Sequence, residues 1–172
     1  ERRPPALETI RAAFVDVAAA LATCHDRGLI HRDIKPANIM IEDDTGRAVL
    51  LDFGLVRVDK AGDRSLGTQF ADSVTKSGQA VGTPRYISPE QATGEKNLDT
   101  RSDIYSLGAS LYHMLTGHVP YSGDSPLQVM LRHMNDPLPD VRAKVPTISE
   151  GAVRWVAEKV PDLELDELNL AQ

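Results

Sequence analysis

The sequence predicts an α+β fold that is predominantly α-helical and carries one short β-hairpin. Two patterns indicate it. Apolar residues recur at helical spacing in several segments, and two short aliphatic runs flank a turn near the first third of the chain. The hydrophobic fraction of 41% and the length of 172 residues are those of one ordinary globular domain with its own core.

Bulk composition argues against several functional classes. The net charge of -6 disfavours nucleic acid as a partner, because no basic surplus is present to displace counterions. Cys24 is the only cysteine, so the chain has no disulfide framework or cysteine-based metal site of its own. We expect no membrane segment and a cytoplasmic location, because no apolar run could span a bilayer and no signal peptide opens the sequence. The sequence begins with Glu1 and not with a methionine, which suggests that the chain is a fragment of a longer protein.

The first predicted element is a helix that opens at Pro4 and Pro5 and ends at Gly28. Its apolar positions follow the 3.6-residue period and are Leu7, Ile10, Phe14, Val17 and Leu21. Two short strands follow at 39–41 and 48–51, joined by the turn-forming residues 42–46. The pattern therefore indicates a hairpin directly after the first helix.

Past the hairpin, residues 55–81 show no periodicity, and a loop of this length is usually functional or disordered. A strongly apolar helix is then predicted from Asp103 to Gly117, and another from Pro126 to Met134. A last, short helix is predicted from Ser149 to Val160, with Ser149 as its cap.

The chemistry is concentrated in residues 31–38, which read His-Arg-Asp-Ile-Lys-Pro-Ala-Asn. We expect Pro36 to hold this loop out of any helix. Fourteen residues after Asn38, the sequence Asp-Phe-Gly begins at Asp52. The predicted hairpin lies between the two motifs, so it would bring Asn38 and Asp52 close together. Together the motifs supply the acid, the cation and the two metal-facing oxygens that phosphoryl transfer requires.

These two motifs are similar to the catalytic and metal loops of protein kinases. The chain most closely resembles the C-terminal lobe of the bacterial, eukaryotic-like (Hanks-type) serine/threonine kinases. The resemblance implies that residues 1–160 form a partial kinase domain and that residues 161–172 are a divergent acidic tail. It also implies ATP and Mg²⁺ as cofactors, and proteins with Ser or Thr acceptors as substrates.

The resemblance also implies a role for each polar residue of the motifs. Asp33 would accept the proton of the substrate hydroxyl, and Lys35 would neutralise charge on the transferred phosphoryl group. Asn38 and Asp52 would hold Mg²⁺, and Met40 would lie under the adenine ring. The alternatives are a solvated aspartate, an asparagine that bonds its own turn, and a methionine of the core.

Regulatory roles are implied for the long loop, which would be the activation segment. Arg32 would capture a phosphate on this segment, and the candidate acceptors are Thr75 and Ser77. The alternative is that Ser and Thr are simply common in exposed loops. Thr83 would bridge the acid and the lysine of the catalytic loop and so help to select Ser/Thr substrates.

Other residues are expected to support the site. Asp103 would cap the backbone of the catalytic loop; the alternative is a simple helix N-cap, and the two roles are compatible. His31 and Phe53 would stack between the two motifs. The histidines at 25, 113, 118 and 133 show no ligand spacing, so we expect them at scattered surface or core positions.

The sequence departs from the kinase pattern in two respects. It contains no glycine-rich phosphate loop and no strand lysine with its partner glutamate, so the small lobe is missing. No arginine follows Arg154 to pair with Glu90, which would leave the end of the activation segment poorly anchored. We therefore expect a fragment of a serine/threonine kinase that is inactive in isolation. The alternative is a pseudokinase or docking module without chemistry.

Overall fold

The computed structural model describes residues 6–52, 84–146 and 148. The elements in these ranges are α1 (Leu7–His25), a 3₁₀ turn (Pro36–Asn38), β1 (Ile39–Ile41), β2 (Ala48–Leu50), α2 (Pro89–Thr93), α3 (Thr100–Thr116), α4 (Pro126–Asn135) and α5 (Val141–Lys144). The prediction of a mostly helical α+β fold with one short hairpin is confirmed. The predicted loop at 55–81 and the predicted helix at 149–160 lie outside the described residues.

Helix α1 supplies one side of the core. Its apolar stripe is buried from Ile10 to Leu21, as the sequence predicts, whereas Leu7 at the first turn is exposed. Gly28 follows with a φ of +70°, a conformation that favours glycine after a helix end. None of the helices in the described ranges is long and apolar enough to cross a membrane.

Strands β1 and β2 pair antiparallel, with Met40 opposite Val49 at the centre of the register. Both strands match their predicted positions to within one residue. The hairpin packs on α1, where the Asp16 carboxylate accepts a hydrogen bond from the Ala48 amide at 2.9 Å. The position of the hairpin is therefore tied to the first helix.

Helix α3 supplies the other side of the core. It begins three residues before the predicted Asp103, because Asp99 is the N-cap and accepts a hydrogen bond from the Arg101 amide. Its end at Gly117 is as predicted. Its buried positions pack against α1, the catalytic loop and β2; the core consists of Ile10, Ala13, Phe14, Val17, Leu21, Ile34, Ala48, Leu107, Leu111 and Leu115.

Three short elements were not predicted. Helix α2 begins at a capping box in which Ser88 and Gln91 each satisfy the other's backbone amide. Helix α5 begins at the cap residue Asp140. The expectation that Pro36 excludes any helix is wrong for the 3₁₀ turn, because proline lacks only the N–H that a first helical position leaves unbonded.

Candidate active site

Residues 31–38, the catalytic loop, run from the end of α1 to the start of β1, and Asp103 of α3 holds the beginning of this loop. The Asp103 carboxylate is fully buried and accepts hydrogen bonds from the backbone amides of His31 (2.8 Å) and Arg32 (2.7 Å). His25 Nε2 donates to the same carboxylate at 2.8 Å. The predicted capping role of Asp103 is confirmed, and the alternative of a simple helix N-cap is wrong because Asp99 has that position.

The His31 side chain is buried and links the two motifs. Its Nε2 lies 3.2 Å from the carbonyl oxygen of Leu51, and its Nδ1 accepts a long hydrogen bond (3.3 Å) from the Asp33 amide. Because a carbonyl only accepts, the proton lies on Nε2 and the ring is neutral. Burial lowers the pKa of His31, and the Asp103 carboxylate acts in the opposite direction.

The polar side chains of the catalytic loop converge on Asp33. Its Oδ2 accepts hydrogen bonds from Lys35 Nζ (2.6 Å) and from Asn38 Nδ2 (3.0 Å). Asn38 Nδ2 also donates to the Asp33 carbonyl oxygen at 2.8 Å. Within the described part of the chain, Oδ1 of Asp33 forms no hydrogen bond. The arrangement fixes one carboxylate oxygen by side chains of the loop itself, and among the described residues the other is left to act as a proton acceptor.

The second motif begins beside Asn38. The Leu51 amide donates to the Asn38 carbonyl oxygen at 2.7 Å, so Asp52 follows directly after a residue that is bonded to the catalytic loop. The Asn38 amide nitrogen points to Asp33, which leaves its side-chain oxygen for another partner. Asp52 is exposed and has a φ of +49°. The amide oxygen of Asn38 and the carboxylate of Asp52 are hard donors of the kind that Mg²⁺ takes, since this ion uses one or two protein ligands and completes its shell with phosphate and water.

The described residues contain no group of three or more His, Cys, Asp or Glu side chains that could hold a metal by themselves. Met40 lies in β1 with 49% of its surface exposed, so the alternative of a core methionine is wrong. Its assignment beneath the adenine ring stays a prediction.

Arg32 has a φ of +69°, which is unusual for a residue other than glycine. This conformation is held from both sides, because the Arg32 amide donates to Asp103 and its carbonyl oxygen accepts from Gln91 Nε2 at 2.9 Å. Helix α2 is thereby attached to the catalytic loop. Thr75, Ser77, Thr83 and Phe53 lie outside the described residues, so their predicted roles stay predictions.

No arginine follows Arg154 to pair with Glu90, as expected, but Glu90 has another partner. Its Oε1 accepts a hydrogen bond from the Ser102 hydroxyl at 2.5 Å, which joins α2 to the first turn of α3. The sequence argument considered only an arginine as the partner of Glu90. A serine twelve residues further on fills part of that role.

Three histidines have specific partners that the sequence analysis missed. His25 donates to Asp103, as described above. The Tyr86 hydroxyl lies 2.6 Å from Nδ1 of His113, and the Tyr105 hydroxyl lies 2.8 Å from Nδ1 of His133. These partners are 78, 27 and 28 residues apart in sequence, so no local pattern indicates them.

Residues 3–158 match the model of the protein kinase domain family. The chain belongs to this family. The catalytic loop and the Asp-Phe-Gly motif are therefore those of a protein kinase domain, and the predicted resemblance to bacterial serine/threonine kinases is confirmed by the relatives that follow. As a family, protein kinases use ATP and Mg²⁺.

Similar proteins include the serine/threonine-protein kinase PknB of Mycobacterium tuberculosis, 45% identical over 127 residues, which cover 73% of this chain and 19% of PknB. PknL of the same organism is 41% identical over 84% of this chain and 33% of its own length. The DNA damage-responsive kinase RqkA of Deinococcus radiodurans is 36% identical over 94% of this chain and 23% of its own length. The chain thus spans between a fifth and a third of these relatives.

The crystal structure of Rad53 1–466 in complex with AMP-PNP has a similar fold. It matches with a TM-score of 0.65 at 26% sequence identity, and the match covers 91% of this chain and 36% of the Rad53 chain. The fold and the sequence relatives therefore indicate the same family.

Proposed function

We propose that this chain is the C-terminal lobe of a serine/threonine kinase that transfers the γ-phosphoryl group of ATP to hydroxyl groups of proteins. The lobe comprises residues 1–160, and residues 161–172 form an acidic tail. The activity would take place in the cytoplasm, where ATP is supplied. The observation that carries the proposal is the convergence of Lys35 and Asn38 on one oxygen of Asp33.

In this mechanism, Asp33 accepts the proton of the acceptor hydroxyl as that oxygen attacks the γ-phosphorus, and the bond from this phosphorus to the bridging oxygen breaks so that ADP leaves. Lys35, which lies next to the Asp33 carboxylate, offers its positive charge to the transferred phosphoryl group. Asn38 and Asp52 would hold Mg²⁺, which neutralises charge on the phosphates when it is bound. Met40 would provide an apolar floor for adenine, and Thr83 would order the acid and lysine.

A purely docking role is the weaker alternative. A docking surface has no need for an acid, a cation and an amide that are held in mutual hydrogen-bond contact. The AMP-PNP bound to the related Rad53 chain supports nucleotide binding by this fold. We also propose that a phosphate on Thr75 or Ser77 pairs with Arg32 and orders the activation segment.

We further propose that the 172-residue chain does not transfer phosphate by itself. Its sequence offers nothing to cover the second side of the nucleotide, and catalysis here depends on positioning and on exclusion of water. A misplacement of about 1 Å already costs about a hundredfold in rate. The loss of one wall of the site would cost more.

A chimera tests both the proposed kinase function and the proposed inactivity of the chain alone. The small lobe of a relative such as PknB is joined in front of residue 1, and transfer from labelled ATP to a generic protein is measured. The chimera is expected to be active and to carry phosphate on Thr75 or Ser77 by mass spectrometry, whereas the chain alone is expected to be inactive. Asp33→Asn should lower the turnover of the chimera at least about a hundredfold.

Asp43→Asn is the matched control, because it removes the same charge from the exposed turn between β1 and β2. It should leave turnover unchanged. A chimera that binds ATP and Mg²⁺ but transfers no phosphate would favour the docking alternative. Transfer by the chain alone that disappears in Asp33→Asn would contradict the proposed inactivity.

A further inference from the structure

The peptide unit between Arg32 and Asp33 is held at both of its polar atoms. Its carbonyl oxygen accepts a hydrogen bond from Gln91 Nε2 at 2.9 Å, and its N–H, which belongs to Asp33, donates to Nδ1 of His31 at 3.3 Å. Because a peptide unit is planar, two bonds on its opposite edges define the orientation of the plane. The Cα atom of Asp33 lies in this plane. The direction in which the Asp33 carboxylate leaves the loop therefore depends on these two bonds.

The backbone conformation at this place needs support from its surroundings. Arg32 has a φ of +69°, a region in which a residue other than glycine is strained and persists only where its neighbours hold it. The Arg32 amide donates to Asp103 at 2.7 Å, and the Arg32 carbonyl oxygen accepts from Gln91. Without the contact from Gln91, only the long bond to His31 would oppose rotation of the peptide unit that precedes the catalytic acid.

Gln91 uses both polar atoms of its side-chain amide. Its Oε1 accepts from the Ser88 amide at 3.1 Å and so closes the capping box of α2, while its Nε2 donates to Arg32. Glutamate closes a capping box as well as glutamine does. A glutamate, however, has no N–H, and at neutral pH it would place a negative charge against the Arg32 carbonyl oxygen. The contact with the catalytic loop is therefore the one that requires glutamine.

Helix α2 is itself anchored at the point from which Gln91 reaches the loop. Glu90, the preceding residue, accepts a hydrogen bond at 2.5 Å from the hydroxyl of Ser102, which is fully buried. Ser102 precedes Asp103 on α3, and Asp103 holds the Arg32 amide. Two neighbouring residues of α2 and two of α3 thus connect the helices to each other and to both peptide units of Arg32. Gln91 is buried, so water competes little for its amide.

A second occurrence of the same motif shows what is specific to Gln91. The sequence Ser-Pro-x-Gln begins at Ser88 and again at Ser125, and in both places the serine hydroxyl accepts a hydrogen bond from the backbone amide of the glutamine. The side-chain oxygen of Gln128 also accepts from a backbone amide, that of Asp124, at 2.7 Å. Nε2 of Gln128, in contrast, bonds to no other residue in the described ranges. The capping motif alone therefore requires no partner for the amide nitrogen.

We infer that Gln91 is a positioning residue for phosphoryl transfer. It holds the peptide unit before Asp33 and thereby directs the Asp33 carboxylate toward the acceptor hydroxyl. The inference rests on the proposed kinase function and adds a residue to it. Because Gln91 acts through the backbone of the catalytic loop, its loss should appear in turnover and not in the apparent affinity for ATP.

Amide hydrogen exchange of the 172-residue chain tests the contact without requiring catalysis. Exchange is followed residue by residue by NMR in the wild type, in Gln91→Glu and in the matched control Gln128→Glu, which makes the same substitution in the same motif. Gln91→Glu should raise the exchange rate of the Asp33 amide about fivefold, the factor that corresponds to the loss of one hydrogen bond. Gln128→Glu should leave this rate unchanged.

Turnover is measured in the chimera of this chain with a small lobe. Gln91→Glu should lower kcat by about 10- to 100-fold, between the effect of one lost hydrogen bond and that of a displacement of about 1 Å. The KM for ATP should change by less than about twofold. Gln128→Glu should change neither constant. Gln91→Met, which has a similar length but no charge and no donor, should also lower kcat, and it decides the question if the buried glutamate prevents folding.

Each other outcome has a defined consequence. Full turnover in a folded Gln91→Glu or Gln91→Met chimera overturns the inference and leaves the kinase proposal standing. A rise in the KM for ATP without a fall in kcat overturns it as well, as do equal losses in Gln91→Glu and Gln128→Glu. Unchanged exchange of the Asp33 amide in Gln91→Glu contradicts the contact itself. A chimera without any activity contradicts the proposed function, and with it the catalytic role of Gln91.

Discussion

Asp103 of α3, which holds the start of the catalytic loop, is fully buried, whereas the side chains of Asp33 and Lys35 within the loop are 46% and 36% exposed. We call the first region, with the backbone of His31 and Arg32, the base of the loop, and Asp33 with Lys35 its tip. At the base, a carboxylate satisfies backbone amides that would otherwise be buried without partners. At the tip, a carboxylate accepts side-chain donors and keeps one oxygen open.

The difference shows that two aspartates in one site do different work. The base uses its charge to fix backbone geometry, and burial makes this contact costly to lose. In the proposed mechanism the tip would use its charge for chemistry, and exposure makes its removal inexpensive for folding. Substitution of Asp103 should therefore lower stability, whereas substitution of Asp33 should lower activity and leave stability nearly unchanged.

The largest expected effect is at the base. Asp103→Ala would leave the buried amides of His31 and Arg32 without acceptors, so we expect a loss of roughly 3 to 5 kcal/mol in the free energy of unfolding. Urea denaturation of the purified chain measures it. Asp33→Ala should change the same quantity by no more than about 0.5 kcal/mol. Equal losses at the two aspartates would refute the division into base and tip.

Acid should destabilise the protein through its buried histidines. Burial lowers the pKa of His133 to about 4, and Tyr105, Tyr121 and the backbone of Arg85 face this ring. The folded pKa lies below the ordinary value of 6.5, so stability is complete above pH 6.5 and is lost as the pH falls toward 4. The pKa of His31 at the base is lowered in the same direction.

From His133 alone we expect a loss of about 2 kcal/mol in unfolding free energy between pH 7 and pH 5. Denaturation of the wild type and of His133→Phe at both pH values isolates this contribution, because other titrating groups are common to both proteins. The variant should be less sensitive to acid. An identical pH dependence of the two proteins would show that His133 titrates normally in the folded state.

The smallest expected effect concerns the hydrogen bond from His25 to Asp103. His25→Ala removes one donor from Asp103 and leaves its two backbone partners, so a loss of about 1.5 kcal/mol is expected. His25→Gln should recover part of it, because the glutamine amide can donate to the same carboxylate. No loss in His25→Ala, measured by urea denaturation, would mean that the two amides alone are sufficient to hold Asp103.

Local patterns were enough to predict much of the fold. Helix α1 and the two strands follow from patterns among neighbouring residues. The bounds of these three elements were predicted closely. The start of α3 was missed because Asp99, and not Asp103, is the cap. Helix α2 was also missed, although Ser88 and Gln91 carry the spacing of a capping box.

For the site, the motifs placed Asp33, Lys35 and Asn38 in one loop but did not predict that Lys35 and Asn38 bond to Asp33, and the resemblance predicted the contact of Asp103 with the loop backbone. The histidine contacts could not be predicted, because the pairing of His113 with Tyr86 depends on how α3 packs against a distant segment. The partner of Glu90 was missed for a related reason. A family expectation named an arginine, while the structure supplies the hydroxyl of Ser102.

The hydrogen bond from the Ala48 amide to Asp16 has a consequence for the metal-facing residues. Strands of three residues have few ladder bonds to define their register, and a slip by one residue would turn every side chain of β2 to the opposite face. The Asp16 carboxylate, which lies outside the sheet, accepts a hydrogen bond from the first residue of β2 and so opposes such a slip. The positions of Asn38 and Asp52 at the two ends of the hairpin thus depend on a residue of helix α1.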